Sequence, residues 1–197
     1  MLNLAVFGSG SGSNYQAIAE AIETGKLNAN IACVISDVED AFILERAKKF
    51  GHPACYLNCA PFKNKLDGDA EARAIQLVHS HGGNFIALAG FMRIVKGGLL
   101  NAFPHRIINI HPSLLPAFPG LDAGRQALDA GVKETGCTVH FVDAGIDTGQ
   151  IIVQRKVPVL PDDTVATLMN RIHEQEHIAY PEALQQISVS CTLKCRS

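Results

Sequence analysis

The residues best suited to chemistry in this chain are Asn109 and His111, within NIHPSLLP, and Asp147, within the later segment DAGIDTG. Strand side chains alternate with a period of two, so an amide and an imidazole two positions apart at a strand's end project from one face. The apolar run over residues 107–110 reads as that strand, and Pro112, which lacks a backbone donor, ends it. A carboxylate beside an imidazole orients it and favours its charged form, while an amide N–H stabilises a developing oxyanion. Together these groups are the equipment for acyl or formyl transfer without a covalent nucleophile. An Asn-x-His pair at a strand end also suits a plain turn, so the rest of the chain carries the decision.

Directly after the first apolar run comes GSGSGSN, residues 8–14, and a helix opens there. Glycines let backbone approach an anion, and a helix N-terminus presents unpaired N–H groups with a favourable dipole, so the loop reads as a phosphate site. Gly8 and Gly10 also match the first two glycines of a dinucleotide fingerprint, with Asp37 in the place of a ribose-binding acid. Ser13 stands where the third glycine belongs, which weighs against a nicotinamide cofactor. HEQEH, residues 173–177, formally satisfies the HExxH pattern of zinc proteases, yet zinc needs a third protein ligand and only Glu182 follows closely. The segment is read instead as a polar helix face that reaches a hydroxylated ligand, and no metal is expected. His140 reads as an interior imidazole or a neighbour of the site, and His79 and His81 suit a helix C-terminus.

The elements that must hold these residues follow from composition and pattern. With 197 residues, 47% of them hydrophobic and 18% charged, the chain is long enough for one sizeable core. A net charge of −2 and a pI of 6.4 provide no basic surface for nucleic acid or anionic membrane, so small-molecule partners are expected. The N-terminus lacks a basic leader, and no stretch approaches the ~18 apolar residues of a membrane span, so a cytoplasmic setting is expected. Cys33, Cys55, Cys59, Cys137, Cys191 and Cys195 read as free thiols, because the CxxxC spacings are not those of zinc ribbons or redox sites.

Strand-length apolar runs lie at residues 2–7, 31–36, 54–57, 85–89, 106–110, 137–142 and 151–156, and helical periodicity at 14–23, 41–50, 70–81 and 163–187. This alternation predicts an α/β fold: a Rossmann-like, open, mostly parallel twisted sheet of about seven strands, with helices on both faces. The last two runs, joined by one short loop, predict an antiparallel portion in the C-terminal half. One domain is expected over residues 1–187, with a tail at 188–197.

Taken in order, GSGSGSN, DAFILERA, LAGFMRI, NIHPSLLPAFPG, RQAL and the IDTGQII loop resemble the folate-dependent formyltransferase superfamily over roughly residues 2–187. Within it they are most similar to the phosphoribosylglycinamide branch of purine synthesis. The resemblance implies that 10-formyltetrahydrofolate, a co-substrate rather than a resident cofactor, gives its formyl group to the glycine amine of glycinamide ribonucleotide, with no metal. It implies that His111 is the general acid, that Asn109 donates to the oxyanion and that Asp147 supports His111. It places the ribonucleotide on Gly12, Ser13, Asn14, His173, Glu174, Gln175 and Glu176. The folate falls to Met92, Arg93, Ile94 and Val95, to Asp143, Ala144, Gly145, Ile146 and Asp147, to Asn109, and to Lys65 near its glutamate tail. After PGL the family usually carries histidine and then a basic or polar residue, where this chain has Asp122 and Gly124; this bears on how the loop over residues 117–131 closes over the folate. A methionyl-tRNA formyltransferase would need a further C-terminal domain and a formyltetrahydrofolate hydrolase a further N-terminal one, and neither is expected. Another folate-dependent amine formyltransferase, or a nucleotide-binding module without chemistry, remains the alternative, and the assembly is read as a monomer or homodimer.

Overall fold

The apolar runs assemble into one sheet in a computed structural model that describes residues 1–194. In chain order the elements are β1 (Leu2–Phe7), α1 (Ser13–Glu23), β2 (Ala29–Ser36), α2 (Phe42–Lys49), β3 (Ala54–Tyr56), β4 (Lys65–Leu66), α3 (Gly68–Ser80) and β5 (Phe85–Leu88). They continue with β6 (Ile94–Val95), α4 (Gly98–Ala102), β7 (Ile107–His111), α5 (Ala123–Asp129), β8 (Glu134–Phe141), β9 (Ile151–Pro158) and α6 (Val165–Lys194). The main sheet runs β3-β2-β1-β5-β7-β8-β9, parallel as far as β7 and antiparallel from β7 to β9. β4 and β6 form a separate two-stranded parallel pair.

Alternation along β1 divides the core between the two faces of the sheet. Leu4 and Val6 pack with Tyr15 and Ile18 of α1 and with Tyr180 and Leu184 of α6. Ala5 and Phe7 pack on the other side with Val78 of α3 and Leu99 of α4. Each large side chain fully buried in this way contributes about 1.5–3 kcal/mol, which makes the sheet a rigid platform whose strand ends can carry a site. Tyr180 fixes how α6 lies across it: the buried phenol donates toward Leu88 O at 2.8 Å and Ile108 O at 3.4 Å, at adjacent strands.

The short elements β4, β6, α4 and α5 add to the expected set. The expected tail needs correction, because α6 continues past residue 187 to Lys194. Ser188 is buried there, and its hydroxyl donates to Asn28 O at 2.7 Å, which ties the added turn to the loop before β2. The expectations for residues 195–197 and for the thiols of Cys191 and Cys195 lie outside what is described; Cys33, Cys55, Cys59 and Cys137 are free. Among the described residues no helix is long and apolar enough to cross a membrane.

Candidate active site

β7 is the seam where the sheet changes direction, with parallel β5 on one side and antiparallel β8 on the other. The β7–β8 register sets Asn109 opposite His140 and His111 opposite Thr138. Directly opposed residues share a face, so the ladder alone brings Asn109 Nδ2 to 3.4 Å from His140 Nε2. Thr138 anchors the chain leaving β7: its hydroxyl donates to Ser113 O at 2.6 Å and accepts from Leu115 N at 3.1 Å and Gln154 Nε2 at 2.9 Å.

The loop after β8 returns the third residue. Asp143 Oδ1 accepts from Gly145 N and Thr148 Oγ1, shaping a turn that ends with Asp147 at φ 54. Left-handed backbone is uncommon for a residue with a side chain, although aspartate tolerates it better than most. Here it aims the carboxylate inward, where Oδ2 accepts from Gly120 N at 2.8 Å and lies 3.4 Å from His111 Nδ1. Oδ1 lies 3.6 Å from His140 Nε2. The three side chains are 12%, 6% and 2% exposed for Asp147, His111 and His140. Burial works against a charge on Asp147, but His140, the Gly120 N–H and the positive charge of the two imidazoles outweigh it and hold the carboxyl below its ordinary range. The other nitrogen of His111, Nε2, lies 2.8 Å from the Phe118 carbonyl. A carbonyl only accepts, so Nε2 carries a hydrogen and Nδ1 is the nitrogen turned toward Asp147.

The glycine loop lies beside this cluster. Gly12 caps α1 at φ 73, and a Cβ there would sit 2.7 Å from the Ile43 backbone, so only glycine fits. Ile43 N donates to Gly10 O at 3.0 Å and Arg46 Nε to Ser11 O at 2.8 Å, so α2 holds the loop from behind. No side chain caps α1, which leaves its first-turn amides for an anion. Asn14 is buried; its Nδ2 donates to Glu176 Oε2 at 2.8 Å, and its Oδ1 is buried without a hydrogen-bond partner among the described residues. Burial pushes the Glu176 carboxyl up, against the Asn14 hydrogen bond and the charges of His173 and His111. Glu176 thus links the two, through its hydrogen bond with Asn14 of the anion loop and the charge of the His111 imidazole.

β6 pairs with β4 so that Ile94 stands beside Lys65. Lys65 forms an ion pair with Asp67, and its ammonium lies 4.4 Å from the centroid of the Phe62 ring. The amides of Met92 and Ile94 are already used, by Ser9 Oγ at 2.9 Å and Asn64 O at 3.0 Å. Met92, Leu121 and Ile146 are large apolar side chains left exposed.

The formyl transferase family model matches residues 2–184. The chain belongs to that family. It is 43% identical over 187 residues to the phosphoribosylglycinamide formyltransferase of Bacillus subtilis, with 95% of each chain covered. It is 43% identical over 186 residues to the human trifunctional purine biosynthetic protein adenosine-3, covering 94% of this chain and 18% of that protein. Among solved structures it superposes on glycinamide ribonucleotide transformylase 1 from Symbiobacterium toebii with a TM-score of 0.92 and 48% identity, covering 96% of this chain and 89% of that one.

In this formyltransferase the structure brings Asn109, His111 and Asp147 together, and joins Asn14 of the glycine loop to Glu176. Glu174 is exposed and lies about 200° around α6 from Glu176, away from the cleft. Around HEQEH, among the described residues, no group of three or more His, Cys, Asp or Glu side chains gathers as for a metal ion. Asp37, which would stand as the ribose acid in the disfavoured dinucleotide reading, accepts from Ser9 Oγ at 2.5 Å with Oδ1 and from Arg93 Nε at 2.6 Å with Oδ2. At Gly124 a Cβ would lie 2.8 Å from Met169 Sδ, the end of a flexible side chain that can move aside. Asp122 sits just before α5 at φ 58. Sequence reasoning missed the Phe118 carbonyl and the Gly120 amide, which are backbone groups and leave no side-chain signal. His140, read from the sequence as an interior imidazole or a neighbour of the site, stands opposite Asn109 in the β7–β8 register.

Proposed function

We propose that this formyltransferase moves the formyl group of 10-formyltetrahydrofolate onto the glycine amine of glycinamide ribonucleotide, a step of purine biosynthesis. The observation that carries the reading is the cluster of Asn109, His111 and Asp147 in one cleft with an uncapped, glycine-lined helix N-terminus. The phosphate sits on the amides of Gly12, Ser13 and Asn14, and Glu176 takes the ribose hydroxyls, giving the buried Asn14 Oδ1 a donor. The folate lies along residues 92–95 and 143–147, with Lys65 toward its glutamate tail. Because the amides of Met92 and Ile94 are occupied, its pterin is held through other main-chain groups of these segments and by apolar contact with Met92 and Ile146.

The free amine attacks the formyl carbon and forms a C–N bond as the carbonyl π pair moves onto oxygen. Asn109 Nδ2 donates to that oxyanion. The new ammonium passes a proton to solvent through water beside Asp147, and the oxyanion pair re-forms the C=O as the C–N10 bond breaks, with protonated His111 giving its Nδ1 proton to the departing N10. Asp147 compensates the charge that His111 carries before this transfer. The formyl group ends on the ribonucleotide amine and tetrahydrofolate departs. A monomer or homodimer working in the cytoplasm fits these small, soluble substrates.

The test is a mixture of the protein with glycinamide ribonucleotide and a 10-formyl folate, followed by folate absorbance, with other primary amines as competing acceptors. Turnover specific to the ribonucleotide is expected. Thermal stabilisation by ligands without turnover would instead identify a binding module.

A further inference from the structure

Four chain segments that are remote in sequence, at Ser9, Asp37, Phe62 and Met92–Arg93, meet through one continuous set of hydrogen bonds. Met92 N donates to Ser9 Oγ at 2.9 Å, and the single hydroxyl hydrogen of Ser9 goes to Asp37 Oδ1 at 2.5 Å. Asp37 Oδ2 accepts from Arg93 Nε at 2.6 Å, and Arg93 also donates to Phe62 O at 2.6 Å. The Arg93 and Asp37 side chains are only 12% and 6% exposed. Ser9 belongs to the anion loop and Arg93 to the segment assigned above to the folate, and Ser9 N donating to Gly90 O at 3.0 Å adds a backbone link.

We propose that Asp37, acting through Ser9 and Arg93, is a positioning residue that couples the ribonucleotide loop to the folate wall. The proposal rests on the assignment of residues 92–95 to the folate made above. A buried ion pair adds little net stability but strongly resists loss of one partner, so its main effect here is geometric. Every donor in the set has one acceptor and the carboxylate accepts twice, so a shift of Ser9 when phosphate binds is transmitted to the Met92 amide. Neither Asp37 nor Ser9 reaches the reacting atoms. Their influence falls on substrate affinity rather than on the chemical step.

The experiment is Asp37→Asn, which keeps the shape but sets an amide N–H against either the Arg93 donor or the Ser9 hydroxyl, so one of the two bonds is lost. The expected result is a KM for the 10-formyl folate raised about tenfold to a hundredfold, with saturated kcat within about threefold of wild type. Calorimetric titration of 5,8-dideazafolate, with and without glycinamide ribonucleotide, shows each ligand tightening the other in the wild type and this coupling lost in the variant. Asp37→Asn/Arg93→Gln restores a neutral donor–acceptor pair and recovers part of the affinity. Ser9→Ala, which keeps the ion pair, shows the same loss of coupling and serves if Asp37→Asn folds poorly. Additive effects in the double variant, or unchanged affinity and coupling in Asp37→Asn and Ser9→Ala, overturn the proposal. Hydrogen exchange separates the two layers: no protection of amides 92–95 by the folate analogue in the wild type removes the folate assignment and this inference with it. Protection there with coupling intact in the variants removes this inference alone.

Discussion

The Phe118 carbonyl lies 2.8 Å from Nε2 of His111, which commits that nitrogen as a donor and leaves Nδ1 to exchange protons beside Asp147. Removing the ring removes both functions. His111→Ala should lower kcat by about 10²–10⁴-fold, the usual weight of a positioned acid or base, with an unchanged circular dichroism spectrum. A kcat within tenfold of wild type would exclude His111 as the proton donor.

Asp147→Asn keeps an acceptor for Gly120 N but removes the charge that faces His111 and His140. Turnover should drop by about 10²-fold or more, as when a triad carboxylate is neutralised. The carboxyl is held below its ordinary 3.8, so ionised Asp147 stabilises the fold above that pH, and the contribution is lost as pH falls through its lowered pKa. Wild type should therefore melt above Asp147→Asn at pH 7, with the gap closing only as pH falls below the ordinary 3.8 and through the lowered value. A gap that persists in strong acid would mean that the charge is not its source.

Glu176 behaves in the opposite sense. Burial raises its carboxyl above the ordinary 4.5, so the native state is undisturbed below that pH and is penalised as pH rises through the raised value. Glu176→Gln should melt with wild type at pH 4 and above it at pH 8, by about 2–4 °C for each kcal/mol relieved. The same variant should bind glycinamide ribonucleotide about tenfold or more weakly, since hydrogen bonds to a charged acceptor are lost. Equal melting at both pH values would contradict the account of its burial.

Two glycines of one loop should respond differently. A Cβ at Gly12 meets the Ile43 backbone at 2.7 Å and the residue has φ 73, whereas Gly10 has nothing within 4 Å of the corresponding position. Gly12→Ala should lose about 1–2 kcal/mol to left-handed strain and a further 1–3 kcal/mol to overpacking, and should raise the ribonucleotide KM. Gly10→Ala should stay within about 0.5 kcal/mol of wild type. Similar melting temperatures for the two variants would show that Ile43 gives way.

The sheet was legible in the sequence because its strands are continuous apolar runs and its main helices span enough turns to show a period. β4 and β6 are two residues each, and α4 and α5 span five and seven, too few for a pattern to emerge. Asn109 and His111 were legible through strand alternation, and Gly12 to Asn14 through the strand-to-helix turn. What could not be read was pairing at a distance: Asp37 and Arg93 are 56 positions apart, and Asn14 and Glu176 are 162 apart. The helix end at residue 187 was misplaced because the Ser188 anchor lies on Asn28, and a tertiary hydrogen bond has no local signature.

The opposition of Asn109 and His140 across β7 and β8 has a practical use. If β8 zipped up one position out of step, Val139 would take the place of His140 and the imidazole would turn to the far side of the sheet. Chains so assembled would keep nearly all their secondary structure and still lack a working polar cluster. In refolded preparations, specific activity therefore counts the fraction of molecules whose last strands have closed in step, a quantity that far-UV spectra do not resolve.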